Sequence, residues 1–225
     1  MAGIQQTFDG APLTWADGGV PVSVLFDDPY FSLQGGLAET GHVFLAGNGL
    51  PGRMQDGFRI AELGFGTGLN LLATARVWDG PGRVSYTSFE AYPMAPADMA
   101  RALAMFPGMS GLAAELVGLW GEGRREFSLG KVDVQVIEGD AVASLPAWNG
   151  RADAWYLDGF SPAKNPDLWS EAMLQAVGRH TAKGGTFATY TAAGHVRRAL
   201  QAAGFAVERC PGFGRKRHMS AGVLL

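Results

Sequence analysis

The stretch Phe58-Arg-Ile-Ala-Glu-Leu-Gly-Phe-Gly-Thr-Gly-Leu-Asn70 joins two periodicities. Phe58–Leu63 is a short apolar run that reads as a strand, and beyond the glycines Leu69, Leu72, Ala73 and Val77 recur at helical spacing. Gly64-Phe-Gly-Thr-Gly68 lies between them, where a backbone without side chains can turn sharply and touch a ligand at a helix N-terminus. A dinucleotide fingerprint spaces its glycines G-x-G-x-x-G. Here they stand at 64, 66 and 68, and the position that fingerprint requires next is Leu69. Glu62 precedes the loop by two residues, an anion that would oppose a pyrophosphate.

Outward from this stretch the alternation continues. Val84–Glu90 reads as a strand, Ala95–Phe106 as a helix, Val132–Ile137 and Asp153–Leu157 as strands, and Leu168–His180 as an amphipathic helix. Lys183-Gly-Gly185 is a turn, Thr186–Thr191 a strand and Ala192–Ala203 a helix, and Phe205–Arg209 with Ser220–Leu224 form a terminal strand pair. Strands separated by helices predict an α/β fold with a doubly wound, mostly parallel sheet of seven strands. A closing antiparallel hairpin is the Rossmann-like class I methyltransferase plan. Residues 1–57 read differently, as a β-rich extension or flap packed on the core of residues 58–225. Its strand-like piece Val20–Phe26 is set between turn signals at Asp17-Gly-Gly19 and Asp28-Pro29.

The strand ends carry the candidate ligand groups. A donor with a sulfonium and an ammonium tolerates Glu62, and S-adenosylmethionine is such a donor. Gly64, Phe65, Gly66 and Gly68 form its expected loop. Glu90, ending the next strand, suits two ribose hydroxyls, and Asp140 with the backbone of Ala141 suits an adenine. Taken singly, each strand-end acid reads equally well as a helix N-cap or a solvated turn. Asp158 ends the fourth strand, within Tyr156-Leu-Asp-Gly-Phe-Ser-Pro-Ala-Lys-Asn-Pro166. An alkylammonium has no lone pair, so a methylated amine must attack in its neutral form. An aspartate there can accept its N–H and take up the developing charge. Phe160 can pack on a base, Lys164 can contact an anionic substrate group, and Pro162 and Pro166 stiffen the loop. The structural alternative is an aspartate that only caps its loop.

Composition bounds the rest. With 47% hydrophobic and 17% charged residues the chain is expected to pack as a globule, and 33 glycines give it many close backbone approaches. No apolar run nears a membrane span, the N-terminus lacks a leader pattern, and a single Cys210 fits a reducing compartment, so the expectation is cytoplasmic. The net charge is −3, but from His195 onward six basic residues face one acid, leaving +5 there and −8 elsewhere. Arg197, Arg198, Arg215, Lys216 and Arg217 are therefore candidate contacts for nucleic-acid phosphates, or simply a solvated basic tail. No histidine stands in a metal-like cluster, so no metal is expected. Met94, Met99, Met105 and Met109 read as packing residues.

Taken together, these motifs resemble the methyltransferase domain of the tRNA 5-methylaminomethyl-2-thiouridine biosynthesis enzymes. The resemblance runs from about Asp28 through Tyr30-Phe-Ser-Leu-Gln-Gly-Gly-Leu-Ala-Glu-Thr40, His42–Asn48, Glu62–Asn70, Tyr156–Trp169, Thr189-Tyr-Thr191 and Gly212-Phe-Gly-Arg-Lys-Arg217. His218 departs from it, standing where the pattern carries an acid. The resemblance implies methyl transfer from S-adenosylmethionine to the 5-aminomethyl group of a tRNA wobble uridine, with the base splayed into the cleft. It implies a flap of Gly36–Thr40 and His42 over the donor's methionine end, with Glu39 and Thr40 near its ammonium and Asn70 on the cofactor side. For His42, packing is an equal alternative. In many relatives a flavin-dependent oxidoreductase domain follows. This sequence ends before one would begin, so action alone or beside a separate oxidoreductase is expected. Rival readings are a methyltransferase of small amines, an aminopropyl transferase, and an inactive module that binds tRNA or a partner.

Overall fold

The computed structural model describes residues 11–225. The expectations for the first ten residues, the leader and the start of the extension, lie outside the described residues. β1 (Leu13–Trp15), β2 (Pro21–Ser23) and β3 (Asp28–Pro29) form a small antiparallel sheet in that order. The β-rich expectation holds only this far. From α1 (Gly36–Thr40) the chain passes through a π-turn, Gly41–Leu45, into a 3-10 turn, Ala46–Asn48. Three kinds of helical turn in succession share no single period, so the sequence shows no clean helical repeat there. Val43, Phe44 and Leu45 are buried consecutively and join the core beneath the main sheet.

The main sheet starts with β4 (Arg59–Leu63), followed by α2 (Leu69–Val77), β5 (Val84–Glu90), α3 (Pro96–Leu103) and α4 (Ser110–Gly121). Next come β6 (Glu126–Leu129), β7 (Val132–Glu138), α5 (Ala141–Ser144), β8 (Ala152–Leu157) and α6 (Glu171–Arg179). The chain closes with β9 (Thr181–Thr189), α7 (Gly194–Ala202), β10 (Phe205–Pro211) and β11 (His218–Leu224). Strand order is β10-β11-β9-β8-β4-β5-β7-β6, eight strands where seven were expected. The addition is β6, which pairs antiparallel with β7 through a hairpin at Gly130-Lys131, with Gly130 at φ +58°. Only Leu129 of its four residues is buried, too little to stand out as a strand in the sequence. β9 begins at Thr181 because Lys183-Gly-Gly185 is taken up as an irregularity of the strand beside β8 rather than as a separating turn.

β4, β5, β7, β8 and β9 are parallel, and β4 lies between β5 and β8. Successive crossovers leave β4 in opposite directions, so the sheet's carboxyl edge opens between β4 and β8. Helices cover both faces. Ile60, Ala154 and Tyr156 pack towards α2 and the 43–45 turn, while Leu63, Trp155 and Leu157 pack towards α6 and α7. Burial on both sides explains why β4 and β8 read as nearly continuous apolar runs. Met94, Met99 and Met109 are buried, whereas Met105 is exposed, against expectation, at the irregular end of α3. No single helix among the described residues is long and apolar enough to cross a membrane.

Candidate active site

A cleft of about 730 Å³ opens at the carboxyl edge of β4, β5 and β8. The glycine loop forms its floor. Gly64 has φ +83°, and a Cβ there would lie 3.0 Å from the Cα of Gly159, so this glycine lets the β4 and β8 loops touch backbone to backbone. Gly68 is left-handed too, and a Cβ there would lie 2.7 Å from Leu116. Phe65 and Gly66 line the cleft, while Gly68 sits behind it at the start of α2.

Glu90 ends β5 at the cleft. Its carboxylate accepts the N–H of Gly66 (2.8 Å) and of Tyr92 (2.7 Å), and burial pushes it above the usual carboxylate range. A carboxylate has about four lone-pair sites, so these bonds leave capacity for further donors. Asp140 and Ala141 line the same wall. Asp140 also caps α5, accepting from Val142 N–H (2.9 Å), so the N-cap reading describes a residue that lines the cleft as well.

Glu62 does not line the cleft, which corrects the expectation that it faces the ligand. It is fully buried beneath the loop, accepts from Asn70 Nδ2 (2.8 Å) and Ser88 Oγ (2.7 Å), and burial holds it well above the usual carboxylate range. Its role passes through Asn70. The Asn70 Oδ1 accepts from Thr40 Oγ1 (2.8 Å), and its Nδ2 donates both to Glu62 and to Asp158 Oδ2 (2.7 Å). Every polar atom of that amide is engaged, so the side chain can face only one way. Thr40, Asn70 and Asp158 thus form one fixed network, with Asp158 exposed to the cleft. Burial first of all raises Asp158 to about 7.

The loop after β8 is tied on three sides. Tyr190 donates to Gly159 O (2.9 Å), Trp169 Nε1 to Phe160 O (2.8 Å), and Ser161 N–H to Asp28 Oδ2 (2.7 Å). Phe160 lines the cleft, stacked on Phe26 with ring centres 4.6 Å apart and edge-on to Tyr30 at 5.1 Å. Lys164 is placed differently from expectation. The turn at Ser161–Asn165 carries it outward to an ion pair with Asp27, away from the cleft lining.

Glu39, in α1, lines the cleft and accepts from Lys216 Nζ at 2.9 Å. The basic group therefore divides. Arg215 lines the cleft, the half-exposed Lys216 reaches back to Glu39, Arg217 is exposed on the hairpin, and Arg197 and Arg198 are on α7, outside the cleft lining. His42 packs rather than facing the cleft: Nε2 donates to Pro211 O (3.0 Å), and its ring lies 6.0 Å from Phe213. The aromatic wall of Phe26, Tyr30 and Tyr92 was missed in the sequence. Aromatic residues on both sides of the Asp28-Pro29 turn were the available sign, since a turn exposes what flanks it.

Glu90, the glycine loop and the carboxylates of Glu39 and Asp158, all lining one cleft, suit an adenosine joined to a cationic amino acid. The profile of a family described as S-adenosyl-L-methionine-dependent methyltransferase matches residues 111–224. The chain belongs to this family. Its methyl donor is S-adenosyl-L-methionine, and the cleft lining offers glycines and carboxylates of the kind that donor's chemistry calls for. The methyltransferase is 46% identical over 220 residues to the tRNA 5-methylaminomethyl-2-thiouridine biosynthesis bifunctional protein MnmC of Caulobacter vibrioides, covering 92% of this chain and 37% of that protein. The protein of the same name from Pseudomonas aeruginosa PAO1 is 44% identical over 230 residues, covering 96% and 35%. The chain spans about a third of the length of the curated relatives it matches. MnmC2 from Aquifex aeolicus superposes with a TM-score of 0.76 at 25% identity, covering 97% of this methyltransferase and 72% of that chain. TrmN from Thermus thermophilus shares the fold, with a TM-score of 0.52 at 18% identity.

Proposed function

We propose that this methyltransferase converts the 5-aminomethyl group of a tRNA wobble uridine to 5-methylaminomethyl. The observation that carries the proposal is Asp158: a carboxylate held in one orientation by Asn70, facing the cleft that Glu90 and the glycine loop also line. The names of the relatives, which concern tRNA 5-methylaminomethyl-2-thiouridine, support the choice of substrate. When bound, the donor supplies a methyl carbon on a sulfonium, which leaves as a neutral thioether. Glu39, Gly64, Gly66, Glu90, Asp140 and Ala141 are the residues proposed to hold it. Asp158 accepts an N–H of the neutral amine, aims its lone pair, and takes up positive charge as the nitrogen acquires it. The surplus proton then passes to Asp158 or to water. Phe160, Phe26 and Tyr30 offer a flat base a face to stack on and keep water from the reacting nitrogen. Arg215 and Arg217 are the proposed phosphate contacts at the rim. The encounter is with the anticodon region in the cytoplasm, and a flavin-dependent oxidoreductase acting on the same base would expose the amine.

Nucleoside mass spectrometry tests this in a strain lacking its own aminomethyl methyltransferase. Expression of this chain should turn the aminomethyl nucleoside into the methylaminomethyl one. An unchanged aminomethyl pool, together with methylation of free small amines, would replace the tRNA reading with the small-amine one.

A further inference from the structure

Two carboxylates, Glu39 and Asp158, look into one cleft, and the ammonium of Lys216 stands with them. Lys216 Nζ is 2.9 Å from Glu39 Oε1 and 4.1 Å from the ring centre of Tyr190. Tyr190 in turn holds the carbonyl of Gly159, the residue after Asp158. A phosphate contact reaches outward on a free stem; the Lys216 side chain is half exposed, but its ammonium is already engaged twice within the cleft. The hairpin that carries it is anchored on the flap. His42 holds Pro211, and Gly214 lies so close to Gln34 that a Cβ there would be 2.7 Å from its Oε1.

Resting on the methyltransferase reading above, we propose that Lys216 is a positioning residue of the reaction, which pairs with Glu39 and favours the anionic form of Asp158, the form able to accept the N–H of the substrate amine. The titratable groups around Asp158 come from five places: Glu39 on α1, Glu62 on β4, Tyr86 on β5, Tyr190 after β9, and Lys216 on the hairpin. Among these Lys216 is the one cation. Burial and the Glu39 charge favour the protonated acid at Asp158; the hydrogen bonds from Asn70 and the Gly159 N–H oppose them, and the Lys216 charge adds to that opposition as the one contribution from a cation. A protonated Asp158 would have a proton to donate where the amine needs an acceptor.

The test uses the full chain with ¹³C-labelled aspartate carboxyls, the Asp158 signal being the one lost in Asp158→Asn. In Lys216→Met the midpoint of that signal should rise, and Lys216→Arg should return it to the wild-type position. The acid limb of the methyl-transfer rate should move with it, while the salt dependence of tRNA binding stays as in wild type. An unmoved midpoint would overturn the proposal. So would an unchanged pH profile with a salt slope reduced by about one, which would make Lys216 a phosphate contact. If the wild-type chain methylates no aminomethyl-tRNA, the functional reading fails, and the carboxyl midpoints still decide what Lys216 does.

Discussion

Asp158 is placed where it helps chemistry and burdens the fold. Its ordinary value is 3.8, and burial raises it to about 7. Between these values an unfolded chain ionises while the folded one keeps its proton. Its contribution to stability is therefore complete below about pH 4 and is lost as pH rises through about 7. Asp158→Asn lacks this pH-dependent loss and can still accept from Asn70 through its amide oxygen. The variant should melt several degrees above wild type at pH 8, and the gap should close towards pH 4, as followed by calorimetry. Its methyl-transfer rate should fall by roughly 10²-fold or more, because an amide takes up no proton and little charge. The wild-type rate should rise with pH through about 7 as Asp158 ionises. A flat profile across that range would separate Asp158 from the rate-limiting step. The place of Asp158 at the cleft was legible from an apolar run that ends on a carboxylate. The part Asn70 plays was not, because its partners Thr40, Glu62 and Asp158 are brought together from three separate segments.

Among the elements, the parallel strands were legible and their additions were not. β5 reads clearly because its β-branched and aromatic residues Val84, Tyr86, Thr87 and Phe89 suit a strand, and every residue but Ser85 is buried. β6 has one buried residue, and α4 carries Gly111, Gly118 and Gly121, which dilute its helical pattern. The turns at 36–48 change helical type within thirteen residues, so no single period survives. The contact between the β4 and β8 loops is where element geometry bears on function. Gly64→Ala would put a methyl 3.0 Å from the Gly159 Cα, in a left-handed conformation that alanine resists. We expect a loss of more than about 1 kcal/mol in denaturant unfolding and weaker donor binding by calorimetry. Gly108→Ala is the control: nothing lies within 4 Å of its added Cβ, and its φ is not left-handed. Equal affinities for the two variants would remove the loop contact from the account of the site.

Across the whole molecule, the charge is divided. Residues from His195 onward carry +5 and the remainder −8, so most of the surface repels a polyanion. The fold brings part of the basic tail to the mouth of the cleft, because the β10–β11 hairpin leans on the flap and carries Arg215 to the rim. The sequence showed the pole, but not that its single lysine pairs with Glu39 or that Arg197 and Arg198, on α7, stay out of the cleft lining. If Arg215 and Arg217 meet phosphates, replacing both with alanine should weaken tRNA binding at low salt. It should also lower the slope of log affinity against log salt by about one to two, without changing turnover at saturating tRNA. Replacing Arg198, which is on α7 and does not line the cleft, should change that slope much less. A double variant that keeps the full wild-type slope would show that the tRNA approaches over another face, and that the hairpin serves the cleft alone.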